Sequence, residues 1–233
     1  MSEPARRNVR LAGREVEASS ATRTLYEAFR SVIDRSIAFA ALLVLSPILV
    51  VAAFFVGRDG GPVLFVQDRI GRNARPYKVF KLRTMVVDAD RLLDPGGRPI
   101  GRRITRVGDV LRKSSIDELP QLWNVVRGEM ALIGPRPILP HMVEYMTQRE
   151  RERFCLRPGL TGLAQVKGRN FLKWSRRFHY DVIYVRRHGL KLDLWIVWRT
   201  IQIVLRQDGV ASDRNSQVVD DITTRTKTGT EES

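Results

Sequence analysis

"SIAFAALLVLSPILVVAAFFV", residues 36–56, carries no charged side chain over a length close to the about 20 residues that a membrane-spanning helix needs. An ordinary buried helix of that length shows a polar stripe, so the run reads as a membrane segment ahead of an apolar core helix. It starts too far from the N-terminus for a secretory signal, and no convincing small-residue cleavage site follows it. Ser46 and Pro47 fall at its middle. Proline removes a backbone donor and crowds the preceding turn, so the helix is expected to break there. Spanning helices tolerate such prolines, and the break alone fits a helix that crosses as well as one that turns back. The flanks favour the second: Arg30 and Arg35 precede the run, while Arg58, Arg69, Arg72, Arg75, Lys78, Lys81 and Arg83 follow it. A crossing helix biases Lys and Arg to its cytoplasmic side. With both flanks basic, a re-entrant hairpin in the cytoplasmic leaflet is expected.

The chain's 233 residues suit one domain with a proper core. Its 40 Lys and Arg against 25 Asp and Glu give a net charge of +15, which favours anionic partners: nucleic acid, anionic lipid or phosphorylated small molecules. The single cysteine, Cys155, excludes an internal disulfide and a Cys-rich metal site. His141, His179 and His188 lack metal-binding spacing. Residues 1–24 and 212–233 are polar and read as loosely ordered tails around a membrane helix at 25–58 and a domain at 59–211.

Two further stretches carry a pattern. "PVLFVQDRIGRNARPYKVFKLRTM", residues 62–85, reads as a β-hairpin around the turn-like "GRNAR". Its second arm sets Lys81 and Arg83 on one face, as a cationic site or as the charged guard of an edge strand. "LKLDLWIVWRTIQIVL", residues 190–205, spaces Leu194, Trp198, Ile201 and Leu205 as one face of an amphipathic helix. That face suits a core; with Trp195, Lys191, Arg199 and Arg206 nearby it also suits a membrane interface.

"SSIDELPQLWNVVRGEMALIGPRP", residues 114–137, sets an acidic pair, Asp117 and Glu118, in basic surroundings. Ser115 followed by Glu118 has capping-box spacing, and acids in a first turn favour the helix dipole. Pro120 argues against that reading, because proline prefers the opening positions of a helix. The helix is then expected to open between Asp117 and Pro120, with the pair on its lip. Arg106 and Arg112 upstream and Arg136 within "GPRP" are cations of the kind that pyrophosphate requires. Among these arginines the pair is expected to have lowered pKa values and to stay ionised, which suits a Mg2+ ligand and an anionic nucleophile.

The kinked helix with Ser46-Pro47, "GPVLFVQDRIGRN", "KVFKLRTM", "SSIDELPQLWNVVRGEMALIGPRP" and "RPGLTGLAQVKGRN" follow one another in an order that resembles the bacterial sugar transferases, more narrowly the small monotopic phosphoglycosyl transferases. The resemblance covers roughly residues 25–210. It implies a mostly helical α+β monotopic domain on the cytoplasmic face of the bacterial inner membrane, with a re-entrant helix, a short hairpin and amphipathic interface helices. It also implies transfer of a sugar 1-phosphate from a UDP-sugar to a polyprenyl phosphate such as undecaprenyl phosphate, with release of UMP, early in a glycan or exopolysaccharide pathway. Asp117 is then the nucleophile, Glu118 the Mg2+ ligand, and Arg83, Arg112, Arg136 and Lys81 the substrate-binding cations. The partners implied are the sugar nucleotide, the polyprenyl phosphate and membrane lipid, and not nucleic acid. One departure is that Arg30 and Ser31 stand where relatives often carry a Lys-Arg pair. Two rivals remain: a non-enzymatic basic module on the membrane, which leaves the acidic pair unexplained, and a Mg2+-dependent phosphohydrolase. The sugar, the downstream glycan and the oligomeric state are not legible in the residues.

Overall fold

A computed structural model of the chain describes residues 21–94, 100–168, 172–206 and 221–222. The first element, α1 (Ala21–Gly57), begins inside the segment read as a tail. Residues 1–20 lie outside the described residues, as do Arg169 and Asn170 at the end of "RPGLTGLAQVKGRN".

Helix α1 is continuous for 37 residues with Pro47 inside it, about 55 Å at 1.5 Å per residue. The expected break is a missing hydrogen bond and not an interruption. Pro47 has no N–H for the carbonyl of Leu43, and the Ser46 hydroxyl donates to that same oxygen at 2.8 Å. The Ser-Pro pair therefore satisfies the backbone group that proline alone would orphan, which matters most in a medium without water.

One narrow stripe of α1 docks onto the rest of the chain. Ala38, Ala41, Leu42 and Leu45 join a cluster with Val79, Leu122 and Val125; Leu49, Ala52 and Val56 join another with Leu82 and Leu111. These residues recur at the 3–4-residue spacing of a single helix face. Phe39, Leu43, Val44, Ile48, Val50, Val51 and Phe54 stay exposed on the remainder. An 18-residue window of α1 with mean hydropathy 2.8 is only 11% buried, opposite to what a core helix of a soluble protein would show. The helix is thus long and apolar enough to enter a membrane, and its outer faces are uncovered.

The hairpin is present as β1 (Leu64–Ile70) and β2 (Pro76–Leu82), paired antiparallel with Phe65 opposite Lys81 and Arg69 opposite Tyr77. Next come α2 (Arg106–Ser114), a 3-10 turn over Ile116–Glu118, and α3 (Gln121–Val126). Two three-residue strands, β3 (Ala131–Ile133) and β4 (Gly159–Thr161), pair parallel and form a second small sheet. Between them lies the short α4 (Gln148–Arg151); after them come α5 (Leu163–Gly168), α6 (Trp174–Arg187) and α7 (Leu190–Arg206).

Helix α7 spans the predicted stretch, and its four patterned residues face outward: Leu194, Trp198, Ile201 and Leu205 are exposed, whereas Asp193 and Ile196 are buried. Asp193 accepts from the Tyr184 hydroxyl at 2.6 Å and the Tyr26 hydroxyl at 3.0 Å, tying α7 and α6 to the start of α1. At the C-terminus, loose order does not describe Asp221 and Ile222. Ile222 is 1% exposed within the cluster of Ile70, Ile138 and Phe178, and Asp221 accepts from the backbone N–H of Ser175 at 3.1 Å.

Candidate active site

The acidic pair sits on a 3-10 turn between two helices. Ser115 ends α2 in the left-handed region, at φ 59°, and makes no side-chain capping bond, so the capping-box spacing of Ser115 and Glu118 is not used. Pro120 is the residue before the first turn of α3, one of the positions where its missing N–H costs nothing. The opening expected between Asp117 and Pro120 thus falls just past Pro120, and Asp117 and Glu118 form the approach to it.

Asn124 fixes this approach to the hairpin. It is fully buried, its amide donates to the Lys78 carbonyl at 2.7 Å, and its carbonyl accepts from the Phe80 N–H at 3.3 Å. It occupies the edge of β2 as a neighbouring strand would. The result is a Lys81 Nζ to Glu118 Oε1 contact of 2.6 Å. Arg136 reaches the same oxygen at 3.9 Å. Arg112 donates through Nε to the Thr84 hydroxyl at 2.8 Å.

Asp117 departs from expectation in its acidity. It is 9% exposed, and burial, helped by the neighbouring charge of Glu118, raises its pKa from 3.8 to about 6 although Lys81 and Arg112 pull it down. The predicted lowering fails for Asp117 because desolvation of the carboxylate and the neighbouring charge of Glu118 outweigh the pull of Lys81 and Arg112.

Arg83, predicted to hold substrate, is spent on the scaffold. Nε donates to the Pro62 carbonyl at 2.7 Å, Nη1 to Asp59 and the Met85 carbonyl at 2.8 and 2.9 Å, and Nη2 to the Val56 carbonyl at 3.0 Å and to Asp59. A guanidinium has five N–H donors, and these bonds use them all. Arg83 closes the C-terminal end of α1 against β2, and its charge suits that helix terminus.

Lys81, Arg83, Arg112, Asp117, Glu118 and Arg136 all line one cavity of about 1150 Å3. Two arginines that the sequence analysis did not assign line it as well, Arg69 and Arg177. Burial and the adjacent Arg136 lower both from 12.5 to about 10. Arg69 was readable in principle: antiparallel register puts it on the same hairpin face as Lys81. Arg177 had no local signal, since it reaches the cavity only through the packing of α6.

The "GPRP" loop is held by two devices. Gly134 and Gly159 cross so closely that a Cβ on Gly159 would lie 2.0 Å from the Gly134 nitrogen, which excludes a side chain there. Arg153 donates to the Arg136 carbonyl and to Asp181 at 2.6 Å, and the Arg153–Asp181 pair is 2% and 1% exposed. Asp181, buried against Arg153, and Asp193, which accepts from Tyr184 and Tyr26, both belong to the scaffold.

Among the described residues no cluster of three or more His, Cys, Asp or Glu is assembled. The donor set is Asp117 and Glu118, which fits Mg2+ held by one or two carboxylates with substrate phosphates and water, and not a cation caged by protein alone.

An apolar helix docked beside a cation-lined cavity that holds two carboxylates defines a class, a membrane-associated domain with a charged site. The model of the bacterial sugar transferase family matches residues 25–207, and the chain belongs to that family. It is 41% identical over 187 residues to a UDP-galactose-lipid carrier transferase of Erwinia amylovora, covering 74% of this chain and 39% of the relative. It is 37% identical over 183 residues to an undecaprenyl-phosphate galactose phosphotransferase of Salmonella typhimurium, covering 72% of this chain and 38% of the relative. An exopolysaccharide production protein, ExoY, of Sinorhizobium fredii is 40% identical over 192 residues, covering 76% of this chain and 85% of the relative. The chain thus spans about two fifths of the first two relatives and most of the third.

Proposed function

We propose that the chain transfers a sugar 1-phosphate from a UDP-sugar to polyprenyl phosphate, such as undecaprenyl phosphate, and releases UMP. The observation that carries this reading is the buried Asp117 at the wall of a cavity whose cations come from four separate segments, beside a long uncovered apolar helix. The names of the relatives support both substrates.

In the proposed first step an Asp117 carboxylate oxygen attacks the phosphorus that bears the sugar, and the P–O bond to the nucleoside phosphate breaks. UMP leaves with that oxygen and its electron pair. An oxygen of the polyprenyl phosphate then attacks the same phosphorus, and the acyl–phosphate bond breaks to restore the carboxylate. Splitting the transfer in this way replaces one meeting of two anions by two steps, each with one anion already fixed. The raised pKa helps the first step. A desolvated carboxylate is more basic, and forming the acyl phosphate removes the carboxylate charge that burial penalises. Glu118, with Asp117 near it, would hold Mg2+, which supplies neutralisation of charge on the diphosphate. Lys81 and Arg136 both contact Oε1 of Glu118, and Arg112 lowers the cost of ionising Asp117.

The docking of α1 supports a one-sided membrane arrangement. The domain packs on α1 from Ala38 to Val56, about 27 Å of helix, and grips both ends, through Arg30 to Asp193 at 3.4 Å and through Arg83 to the Val56 carbonyl. A crossing helix would carry that polar domain through the hydrocarbon layer with it. This favours shallow, one-sided insertion at the cytoplasmic face of the inner membrane, where a soluble sugar nucleotide and a lipid phosphate can share one site. Such a placement suits the first membrane step of a bacterial glycan or exopolysaccharide pathway.

The test is UMP release by the purified full chain with Mg2+, undecaprenyl phosphate and a panel of UDP-sugars, with Asp117→Asn in parallel. Release that requires the lipid and disappears in the variant is expected. Equal release without lipid points to a hydrolase, and equal release by the variant removes Asp117 from the reaction.

A further inference from the structure

Beyond its charged residues the cavity has an apolar wall. Val197, Thr200, Ile201, Ile203 and Val204 of α7 line it, and all of these except Ile203 fall at the i, i+3, i+4, i+7 spacing of one helix face. From Val197 to Val204 that face runs about 10 Å along the helix. Leu132, Leu160, Ala164 and Val166 line the cavity as well, from β3, β4 and α5. The hydroxyls of this wall are already paired: that of Thr200 donates to the Ile196 carbonyl at 2.8 Å and meets that of Thr161 at 2.8 Å. Gln165 also lines the cavity, with both of its amide atoms shut from solvent. Short contacts join this wall to the acidic pair. Arg136 reaches Glu118 at 3.9 Å, the Gly134 N–H of the same loop donates to the Thr161 carbonyl at 2.8 Å, and Thr161 meets Thr200 of α7.

We propose that the groove between α7 and the β3–β4 sheet receives the prenyl chain of the lipid acceptor where it adjoins the phosphate, so that the lipid enters the cavity along α7 and not along α1. This rests on the transfer reaction proposed above, whose acceptor is an anion at one end and a hydrocarbon at the other.

The cavity is complementary to that molecule. Lys81, Arg112 and Arg136 supply cations for the phosphate, and the α7 face supplies apolar surface for the chain. The apolar wall is open: Val197, Ile201 and Val204 are 41%, 54% and 38% exposed although they line the cavity. Ile201 also belongs to the outer face of α7 with Leu194, Trp198 and Leu205, and so carries apolar surface from the cavity onto the outside of the helix. Burying that surface under a hydrocarbon chain is favourable, whereas a sugar nucleotide, polar along most of its length, gains little from it. Among the described residues none of α1 lines the cavity, so the long apolar helix offers no such wall. Phe65 and Val87 are the other exposed large apolar residues that line it, and both stand among charges: Phe65 is opposite Lys81 in the hairpin, and Val87 precedes Asp88.

The experiment is photo-crosslinking of the native full chain in lipid nanodiscs with Mg2+ and a geranyl phosphate tipped with benzophenone, mapped by mass spectrometry. Labelling is expected within Val197–Val204. It should fall several-fold under excess undecaprenyl phosphate and not under the same excess of phosphatidylglycerol, which separates the acceptor from bulk lipid. Kinetics give a second reading, with undecaprenyl phosphate in mixed micelles and the UDP-sugar that supports UMP release. Val204→Asn should raise the KM for the lipid several-fold and leave the KM for the UDP-sugar unchanged, and Val204→Leu should keep both near native. Labelling that is absent, that maps to α1 or to Phe65 and Val87, or that undecaprenyl phosphate does not displace overturns the groove, as does a KM for the lipid that Val204→Asn leaves unchanged or raises only in step with that for the UDP-sugar. If the native chain still shows lipid-dependent UMP release in that case, the transferase reading stands without the groove; if it releases no UMP with lipid and any UDP-sugar, both fall.

Discussion

Asp117→Asn should silence the protein and stabilise it. The native carboxyl is raised from 3.8 to about 6 by burial, so the folded chain holds its proton more tightly than the unfolded chain does. The sign follows from linkage: stability from this group is fully present below about pH 4, falls as the pH rises toward about 6, and is flat above it. About 2 pKa units at 1.36 kcal/mol each give roughly 3 kcal/mol lost at neutral pH. Asparagine has nearly the same shape and no charge, so it recovers most of that loss, which for a chain of this size is roughly 6–10 °C in Tm. The assay is unfolding of the native chain and Asp117→Asn in nanodiscs with EDTA, at one scan rate, from pH 4 to pH 8. Asp181 is also raised, chiefly by burial, and titrates in the native chain and the variant alike, so their difference isolates Asp117. The variant should be the more stable at pH 7.5, and the two should converge near pH 4. A variant that is less stable at pH 7.5, or an offset that does not change with pH, would refute the claim that burial governs this carboxylate.

Lys81→Met removes both the 2.6 Å partner of Glu118 and a cation that holds Asp117 down; turnover should fall by about 10- to 1000-fold, and the acid limb of the pH–rate profile should move to higher pH. Asp181→Ala leaves Arg153 buried without its carboxylate and should cost about 3–5 kcal/mol in stability. Replacing both, Arg153→Met with Asp181→Leu, should restore most of the stability and not the turnover, because the Arg136 carbonyl loses its anchor. Trp198→Ser with Leu205→Ser on the exposed face of α7 should lower partition onto anionic vesicles several-fold and leave far-ultraviolet circular dichroism unchanged; equal partition would show that this face does not touch lipid.

The parts that the sequence determined are those in which local chemistry speaks. A run without charge from Ser36 to Val56, two β-rich arms around "GRNAR" and the helical period of residues 190–205 are set by periodicity and turn residues, whereas that the patterned face of α7 points outward came only from the packing. Pro120 placed the acidic pair before α3, because a missing N–H is harmless only at a helix start. Lys81, Glu118, Arg112 and Arg136 were brought to one cavity as expected.

What tertiary structure alone decided are the quantities summed over distant neighbours. The pKa of Asp117 depends on how much water the folded chain removes, and no count of nearby arginines supplies that term. Arg83 and Arg136 look alike in sequence, yet the donors of one close the end of α1 and the other reaches Glu118. Arg177 joins the cavity because α6 packs there, and Ile222 enters the core from a segment that reads as tail. Burial and the spending of hydrogen-bond donors are properties of the whole packed chain, and they turned a list of basic residues into separate anchors and ligands.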